Sequence, residues 1–443
     1  MPPSRTAIAA HFGLANFPVA YCGLKIITSL ALRFPDFQRK MENMILDAVN
    51  DVGCVATGEA LKRFDTDGLP IIREGVKLTS RNKDSKKYQT PFGIIEIERH
   101  VYQSSKGGKI FCPLEDSART VFAATPKFAQ QLSHKYSQGN ASSVCSDLRE
   151  NHNRSIAKST VQNVTNWIGS IACAQEENWD YAPPEIDEPI STVVFSLDGA
   201  YILMANEGYR EAMVGNFSLY DCHGERQHTL YLGEAPEYGK ACFKERFERE
   251  IHRIKARYPD ALYLGIADGA KDNWTFLEQH TKRQLVDFYH VTEYLAKAAY
   301  AVYPKKNMHT RRKQWLSERC TQLKHEKNAA QTILGELKVL TDTKLSASIK
   351  DDLEATLTYF SNNITKNRLN YAQHVEEQLP IGSGVTEAAC KTLVKQRLCG
   401  SGMRWKNKGA KVVLSLRALV QTTNRWQQFW DKIIQFGVEH QTA

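Results

Sequence analysis

Apolar runs separated by polar turns divide the middle of the chain into strands and helices in a regular order. Short apolar or alternating segments predict five strands, over residues 193–197, 210–220, 226–232, 261–267 and 284–289. Apolar side chains at helical spacing predict three helices, over residues 240–258, 274–280 and 291–300. The predicted order is therefore three strands, helix, strand, helix, strand and helix.

The first part of the chain has a different pattern, which predicts a helix, a small β region and three short helices. Residues 37–63 are helical in pattern, and residues 69–119 include segments in which apolar and polar positions alternate. Three amphipathic stretches follow, with apolar positions at Phe128, Leu132, Tyr136, Val144, Leu148, Val161, Val164 and Ile168. The proline-rich residues 183–189 then indicate a linker.

The third amphipathic stretch is a candidate DNA-reading helix. Residues 159–162 read Ser-Thr-Val-Gln, which has the form of a capping box at the start of a helix. With the polar turn at residues 151–155, the pattern predicts a helix-turn-helix whose recognition helix is residues 159–171. The residues predicted to contact DNA are Lys158, Ser159, Thr160, Gln162 and Asn163. A three-helix connector without DNA contacts has the same pattern, and this alternative stays open.

Three acidic residues stand at informative places in this pattern. Asp198 and Asp268 each follow a buried-looking strand and precede a glycine, so each is expected at the carboxyl edge of a sheet. Glu387 follows a loop in which Ser383 is a suitable N-cap, and is expected in the first turn of a helix. Two strand-end aspartates and one helical glutamate can converge on a divalent metal. Each acid taken alone is also explained by an ordinary turn or by the helix dipole.

The motifs around these acids resemble those of a known enzyme family. Residues 196–199 read Ser-Leu-Asp-Gly, residues 267–274 read Ala-Asp-Gly-Ala-Lys-Asp-Asn-Trp, and residues 381–387 read Ile-Gly-Ser-Gly-Val-Thr-Glu. Residues 401–405 add Ser-Gly-Met-Arg-Trp. This combination resembles a DDE transposase of a prokaryotic insertion sequence, in a group related to the Mutator-like transposases. Its specificity lies in the combination, because each motif alone is weak.

The resemblance implies a fold and a domain organisation. It implies an α/β catalytic domain of the RNase H-like fold with an all-helical insertion, preceded by an α+β N-terminal region with a helix-turn-helix. The 119 positions from Asp268 to Glu387 leave room for that insertion. The expected domains are an α+β region (1–120), the helix-turn-helix (121–182), the catalytic core (190–300), the helical insertion (301–380) and a basic C-terminal region with the Glu387 helix (381–443).

The resemblance also implies a chemistry and the residues that perform it. The catalytic residues would be Asp198, Asp268 and Glu387, together with Asp287 and His290, which match the family's D-x-x-H pattern. The three acids would bind Mg²⁺, or Mn²⁺ as a substitute, because hard cations take oxygen ligands. Bound metal stabilises the attacking and leaving oxygens in phosphoryl transfer at a DNA phosphodiester. Asp287 and His290 are expected either to tie a strand to a helix or to face DNA.

The charge of the chain is modest in total but concentrated in one segment. The 58 Lys and Arg exceed the 49 Asp and Glu to give +9, yet residues 388–430 contain nine Lys and Arg and no acid. Next to Glu387, this block favours a surface that follows DNA phosphates, and a merely solvated basic face is the alternative. The predicted DNA contacts are Lys391, Lys395, Arg397, Arg404, Trp405, Lys406 and Lys408. For Trp405, a core anchor is the alternative to base stacking.

These features together predict a DNA transposase that binds the ends of an insertion sequence, cleaves strands and transfers them. Its partners would be double-stranded DNA, as terminal inverted repeats and as target, with a homodimer or higher oligomer formed on that DNA. Two alternatives stay open: an RNase H-like nuclease or resolvase without strand transfer, and a non-catalytic DNA-binding protein derived from a transposase. Ten scattered cysteines, and no signal-peptide pattern or long apolar run, predict a bacterial cytoplasmic, nucleoid-associated protein.

Overall fold

A computed structural model describes residues 39–175, 179–268 and 270–437 as a mixed α/β protein with two sheets. The chain divides into two compact units. The first unit is Met1–Trp179 with Gln427–Ala443, and the second is Asp180–Trp426. Within the described ranges, no helix is both long enough and apolar enough to cross a membrane.

The first unit begins with a helix and a four-stranded antiparallel sheet. Its elements are α1 (Arg39–Lys62), β1 (Ile71–Arg73), β2 (Val76–Gln89), β3 (Ile94–Ser104) and β4 (Gly107–Phe111), with sheet order β1-β2-β3-β4. Four helices follow: α2 (Pro113–Ser117), α3 (Pro126–Gln138), α4 (Ala141–His152) and α5 (Lys158–Gln175). The predicted first helix, β region and three amphipathic helices are therefore confirmed as elements.

The apolar stripes of α3, α4 and α5 form the packing faces that their spacing predicts. Phe128 and Leu132 of α3, and Val161 and Ile168 of α5, are almost completely buried. The predicted capping box is wrong, because α5 begins at Lys158 and Ser159 therefore lies inside its first turn.

The second unit is built on a five-stranded mixed sheet. Its first elements are β5 (Thr192–Met204), β6 (Gly208–Tyr220), β7 (Arg226–Glu234), α6 (Ala241–Arg257), β8 (Leu262–Ala267), α7 (Lys271–His280) and β9 (Arg283–Val286). The sheet order is β7-β6-β5-β8-β9. β5 pairs antiparallel with β6 and parallel with β8, and β8 pairs parallel with β9. The order of strands and helices predicted from the sequence is confirmed.

After β9 the described chain forms helices only. They are α8 (Phe288–Val302), α9 (His309–His325), α10 (Ala329–Lys338), a 3₁₀ turn (Val339–Asp342), α11 (Ala347–Thr365) and α12 (Tyr371–Glu376). The remaining elements are α13 (Gly384–Ala389), a π-helix (Cys390–Lys395), α14 (Gln396–Leu398), α15 (Asn407–Gln421) and α16 (Arg425–Phe436).

The core of the second unit fixes β5 and β8 at the centre of its sheet. Phe195 of β5 packs edge-on against Phe217 of β6, with ring centroids 5.5 Å apart. Phe247 of α6 lies 4.3 Å from the Phe217 ring, so that helix covers this face of the sheet. Burial of such aromatic side chains supplies much of the energy that holds a helix on a sheet. The central strands are therefore a rigid support for whatever they carry at their ends.

The predicted end of the first strand at Asp198 is wrong. β5 continues through Asp198 to Met204, because its antiparallel pairing with β6 extends beyond the point where its parallel partner β8 stops. Asp198 thus lies inside a long strand, at a level where β5 still pairs with β6, and β6 with β7, but the pairing with β8 has ended.

Candidate active site

Asp198 and Asp268 lie at the same level on neighbouring parallel strands. The last residue pair of β5 and β8 is Phe195 with Gly265, and each aspartate lies three residues beyond its member of that pair. Parallel strands in register bring such positions to one edge of the sheet. Both side chains are partly buried. The sequence correctly predicted that this edge carries both acids, although only Asp268 follows the end of its strand.

Glu387 occupies the first turn of α13, as its loop predicts, and its side chain is exposed. Its N–H donates to the carbonyl of Ser383 at 3.1 Å. The expected side-chain cap is absent, because Ser383 stands at the N-cap position but its hydroxyl donates elsewhere. The chain stays helical after α13, but Cys390–Lys395 form a π-helix and not an α-helix. A π turn widens the helix and rotates the residues after it relative to those before it.

The electrostatics of these acids indicate that they are close enough to repel one another. Burial, and then the charge of Asp268, raises the pKa of Asp198. Burial, followed by the charges of Asp287 and Asp198, raises the pKa of Glu387. In the described ranges no three His, Cys, Asp or Glu side chains are already spaced to hold a metal ion. A cation held between these side chains would offset the repulsion that Asp268 exerts on Asp198, and that Asp198 exerts on Glu387.

A buried cysteine contacts the first acid. The Cys390 thiol donates to Oδ2 of Asp198 at 3.4 Å, and burial, with the neighbouring Asp198 charge, raises the pKa of that thiol. The N–H of Gly199 donates to Oδ1 of the same carboxylate at 2.7 Å. Cys390 is not among the site residues predicted from the sequence. Its position three residues after Glu387, one helical turn away, was the signal that it lies near the acids.

Asp287 is fully engaged as a structural acceptor. It is 1% exposed and caps α8, accepting hydrogen bonds from the N–H groups of Tyr289 at 2.6 Å and His290 at 3.3 Å. Its other oxygen accepts from both the N–H and the hydroxyl of Ser383, in the loop before Glu387. Of the two expected roles, this geometry favours the tie between elements over contact with DNA. His290 is partly exposed and lies 3.5 Å from Glu293.

The helical segment after β9 contributes a contact that the sequence did not indicate. The Tyr359 hydroxyl of α11 donates to the backbone carbonyl of Asp268 at 3.3 Å. Its ring stacks on Tyr294 of α8, with centroids 3.9 Å apart. Burial raises the pKa of Tyr359 far above its usual range, so the group stays a neutral donor. The segment between the second aspartate and Glu387 therefore braces the backbone at the acid site.

The basic segment after Glu387 is mostly, but not entirely, at the surface. The exposed residues are Lys391, Lys395, Arg404, Lys406 and Lys408. Arg397 differs, since it is 2% exposed and lies 5.2 Å from the Trp405 ring, so it is not available to a phosphate in this arrangement.

Trp405 is an anchor that ties this segment to β5. Its indole N–H donates to the Leu398 carbonyl at 2.9 Å. Its backbone N–H donates to Leu203, and its carbonyl accepts from Ala205, which extends the strand pairing beyond Asp198. This engagement favours the core-anchor alternative over base stacking. It also fixes the neighbouring exposed cations at the end of the strand that carries Asp198.

The predicted recognition residues share the accessible side of α5 in the first unit. Lys158, Ser159, Gln162 and Asn163 are exposed, and Thr160 is partly exposed. The buried side of the same helix carries Val161, Val164 and Ile168, so the amphipathic pattern assigned both faces correctly.

Removal of the Asp198 charge is expected to stabilise the protein at neutral pH. Because the pKa of Asp198 is raised, the folded state holds the proton of this carboxyl more tightly than the unfolded state does. Its contribution to the free energy of unfolding is therefore present below the pKa of the unfolded state, and is lost as pH rises through the pKa of the folded state. Without divalent cations, Asp198→Asn should therefore melt roughly 2 °C or more above the wild type at pH 7. The difference should vanish at pH 3, where the aspartate is protonated.

Scanning calorimetry at both pH values measures the difference in melting temperature. The control is Asp272→Asn, which changes an exposed acid. A lower melting temperature of Asp198→Asn at pH 7 would contradict the prediction.

Comparisons with known proteins do not identify a family. No protein-family model matches the chain, and no curated protein matches it significantly.

Proposed function

We propose that this protein is a DNA transposase of the DDE type, which binds the ends of an insertion sequence and performs metal-dependent strand cleavage and strand transfer. One observation carries the proposal. Asp198 and Asp268 lie level on neighbouring parallel strands, and Glu387 lies on a helix that packs against β5 and β6. The order β7-β6-β5-β8-β9, with three antiparallel strands followed by two parallel ones, supports an RNase H-like core. The helices α9 to α12, within residues 301–380, would be its insertion.

The donor chemistry of the three acids suits Mg²⁺ or Mn²⁺. All three offer hard oxygen ligands. Burial and then neighbouring carboxylate charges raise the pKa of Asp198 and of Glu387, and a bound cation would offset those charges. When bound, the metal would stabilise the charge on the attacking and leaving oxygens of a phosphodiester. The chain's own part is to hold the acids at one edge of a rigid sheet. Asp287 would be a positioning residue here, since its carboxylate fixes the loop that precedes Glu387.

DNA binding is proposed for two separate surfaces. The exposed cations Lys391, Lys395, Arg404, Lys406 and Lys408 would contact phosphates, since the same segment lacks acids. The exposed side of α5 would read the terminal repeats, and a homodimer or higher oligomer would form on the DNA. This function places the protein in the bacterial cytoplasm, beside the nucleoid.

An assay of cleavage and joining on defined DNA tests the function. With Mg²⁺ and the DNA that flanks the coding region, including its short inverted repeats, the protein should nick the ends and join a 3′ end to a second DNA. Cleavage without joining would assign the nuclease or resolvase alternative. Specific binding without cleavage would assign a non-catalytic DNA-binding protein. Neither binding nor cleavage would contradict the proposal altogether.

Neutralising the exposed cations after Glu387 should weaken binding to every DNA sequence. We expect the variant Lys391→Ala/Lys395→Ala/Arg404→Ala to lower the slope of log affinity against log salt by roughly one for each lost phosphate contact. The reason is that each contact releases condensed counterions from DNA. Fluorescence anisotropy over a series of salt concentrations measures the slope.

A matched triple variant in the segment from α10 to α11 provides the control. Lys338, Lys344 and Lys350 are also exposed, but lie away from the acid-free segment. Their replacement by alanine removes the same total charge and should leave the slope almost unchanged. Equal slopes for the two variants would exclude the proposed phosphate surface. Circular dichroism of both variants checks that lost binding is not lost folding, because lysine stems can also pack.

A further inference from the structure

A continuous chain of hydrogen bonds runs through the interior of the second unit beside the three acids. The Asn216 side-chain amide donates to the Thr386 hydroxyl at 2.6 Å. That hydroxyl donates to the Ser196 hydroxyl at 2.7 Å, which in turn donates to the Ile266 carbonyl at 2.6 Å. Asn216, Thr386 and Ser196 are each 1–2% exposed. Each hydroxyl therefore accepts one hydrogen bond and donates the next.

Three of the residues that make these hydrogen bonds lie one or two positions before the three acids in the sequence. Ser196 precedes Asp198 by two residues on β5, and Ile266 precedes Asp268 by two residues on β8. Residues two apart in a strand share a face of the sheet. Thr386 directly precedes Glu387 on α13. This series of hydrogen bonds thus joins the three elements that carry or precede the acids.

We propose that Ser196, Thr386 and Asn216 are positioning residues that set the separation of the three carboxylates and so the metal affinity of the site. This inference rests on the proposed function. Hydrogen bonds have narrow ranges of length and angle, whereas apolar packing tolerates sliding of one element on another. Ser196 ties β5 to β8, and Thr386 ties α13 to β5. Asn216 of β6 is the pairing partner of Ser196 on β5, and its side-chain amide donates to the Thr386 hydroxyl.

Two further contacts hold the same elements at their other ends. The Ser383 hydroxyl and N–H donate to Asp287, which fixes the start of α13 on the end of β9. Tyr359 donates to the Asp268 carbonyl. α13 is therefore held both at its first residue and through Thr386, which leaves Glu387 little freedom except rotation of its own side chain. Such supporting contacts raise metal affinity by reducing the ordering that binding requires.

Replacement of the Thr386 hydroxyl by a methyl group tests the proposal. Thr386→Val nearly preserves the shape of the side chain and breaks both of its hydrogen bonds. Thr422→Val is the matched control, because Thr422 is 1% exposed in the same unit and its hydroxyl accepts from Tyr231 on β7, which carries none of the acids. The affinity of each full-length protein for Mn²⁺ alone is measured by electron paramagnetic resonance, and its stability by thermal unfolding. The Mn²⁺ dependence of DNA cleavage is recorded as well.

We expect Thr386→Val to weaken Mn²⁺ binding about tenfold or more, as loss of a supporting contact behind a metal ligand does. Cleavage should need correspondingly more Mn²⁺, while DNA affinity stays at the wild-type value. Thr422→Val should lose comparable stability and keep its Mn²⁺ affinity. Ser196→Ala should reproduce the Thr386→Val effect, and Thr386→Ser, which retains the hydroxyl, should bind Mn²⁺ like the wild type. If Thr386→Val does not fold, Ser196→Ala and Thr386→Ser test the proposal in its place.

The outcomes separate the inference from the function on which it rests. If the wild type binds Mn²⁺, and Thr386→Val, Ser196→Ala and Thr422→Val all bind it with the same affinity, the positioning role is overturned. The proposed function would still stand. If the wild type bound Mn²⁺ no more tightly than Glu387→Gln does, the proposed function would be overturned, and the inference with it.

Discussion

Exchange of any one of Asp198, Asp268 and Glu387 for its amide is expected to reduce Mg²⁺-dependent DNA cleavage by at least about 10³-fold, on the scale of losing a group that stabilises transition-state charge. The amide keeps the shape of the side chain but loses the charge that would hold the cation. Because Asp198 and Asp268 lie level on adjacent strands, neither can replace the other's oxygen. Gel assays with an end-labelled substrate measure the loss.

Binding to the element's ends should survive these changes, since the proposed DNA contacts lie on other residues. The control is Asp272→Asn, which alters an exposed acid in the first turn of α7 and should cleave like the wild type. Substitution of Ca²⁺ for Mg²⁺ should abolish wild-type cleavage, because its looser coordination misplaces the reacting oxygens. Near-normal cleavage by one of the three amide variants in Mg²⁺ would remove that residue from the catalytic set.

Asp287→Ala is expected to lower the free energy of unfolding of the second unit by about 3 kcal/mol, as a cap and a buried acceptor are lost together. The change leaves the N–H groups of Tyr289 and His290 without their acceptor at the start of α8. It also frees the Ser383 loop, so Glu387 should lose its fixed position. Chemical denaturation measures the stability, and a Mn²⁺ titration measures the effect on the acids.

The N-cap residue Asn140 supplies the comparison for this prediction. Its side chain caps α4 by accepting one hydrogen bond from the N–H of Ser143, and it has no role near the acids. Asn140→Ala should lower the stability of the first unit by only about 1 kcal/mol, the usual effect of a lost cap. If Asp287→Ala were no more destabilising than Asn140→Ala, the link from Asp287 to Ser383 would contribute nothing. Retained Mn²⁺ affinity in Asp287→Ala would exclude its positioning role.

The order of elements was readable from the sequence because it is a local property. Runs such as residues 261–267 can only be buried, and their length and flanking polar residues separate strands from helices. Helix α6 has its apolar positions Phe243, Phe247, Ile251 and Ile254 on one face, and all four are buried. For the same reason the sequence correctly placed Asp268 directly after its strand and Glu387 in the first turn of its helix.

Other features depended on partners far away in the chain. β5 passes through Asp198 because β6 continues to pair with it, and no local signal marks where a partner strand ends. The π-helix after Ala389 was likewise not indicated by any local pattern. Arg397 was grouped with the surface cations because charge is read residue by residue, whereas its burial beside Trp405 is decided by the fold.

The sequence by itself determined which residues can perform chemistry, whereas the tertiary structure decided how they are held. Asp198, Asp268 and Glu387 were identified by residue type and by their place in local elements. The roles of Asp287, Thr386 and Ser196 became visible only when segments up to 190 positions apart were brought together. The physical reason is that a hydrogen bond between distant segments leaves no periodic trace in either one. Such a hydrogen bond forms only when folding brings its donor and its acceptor together.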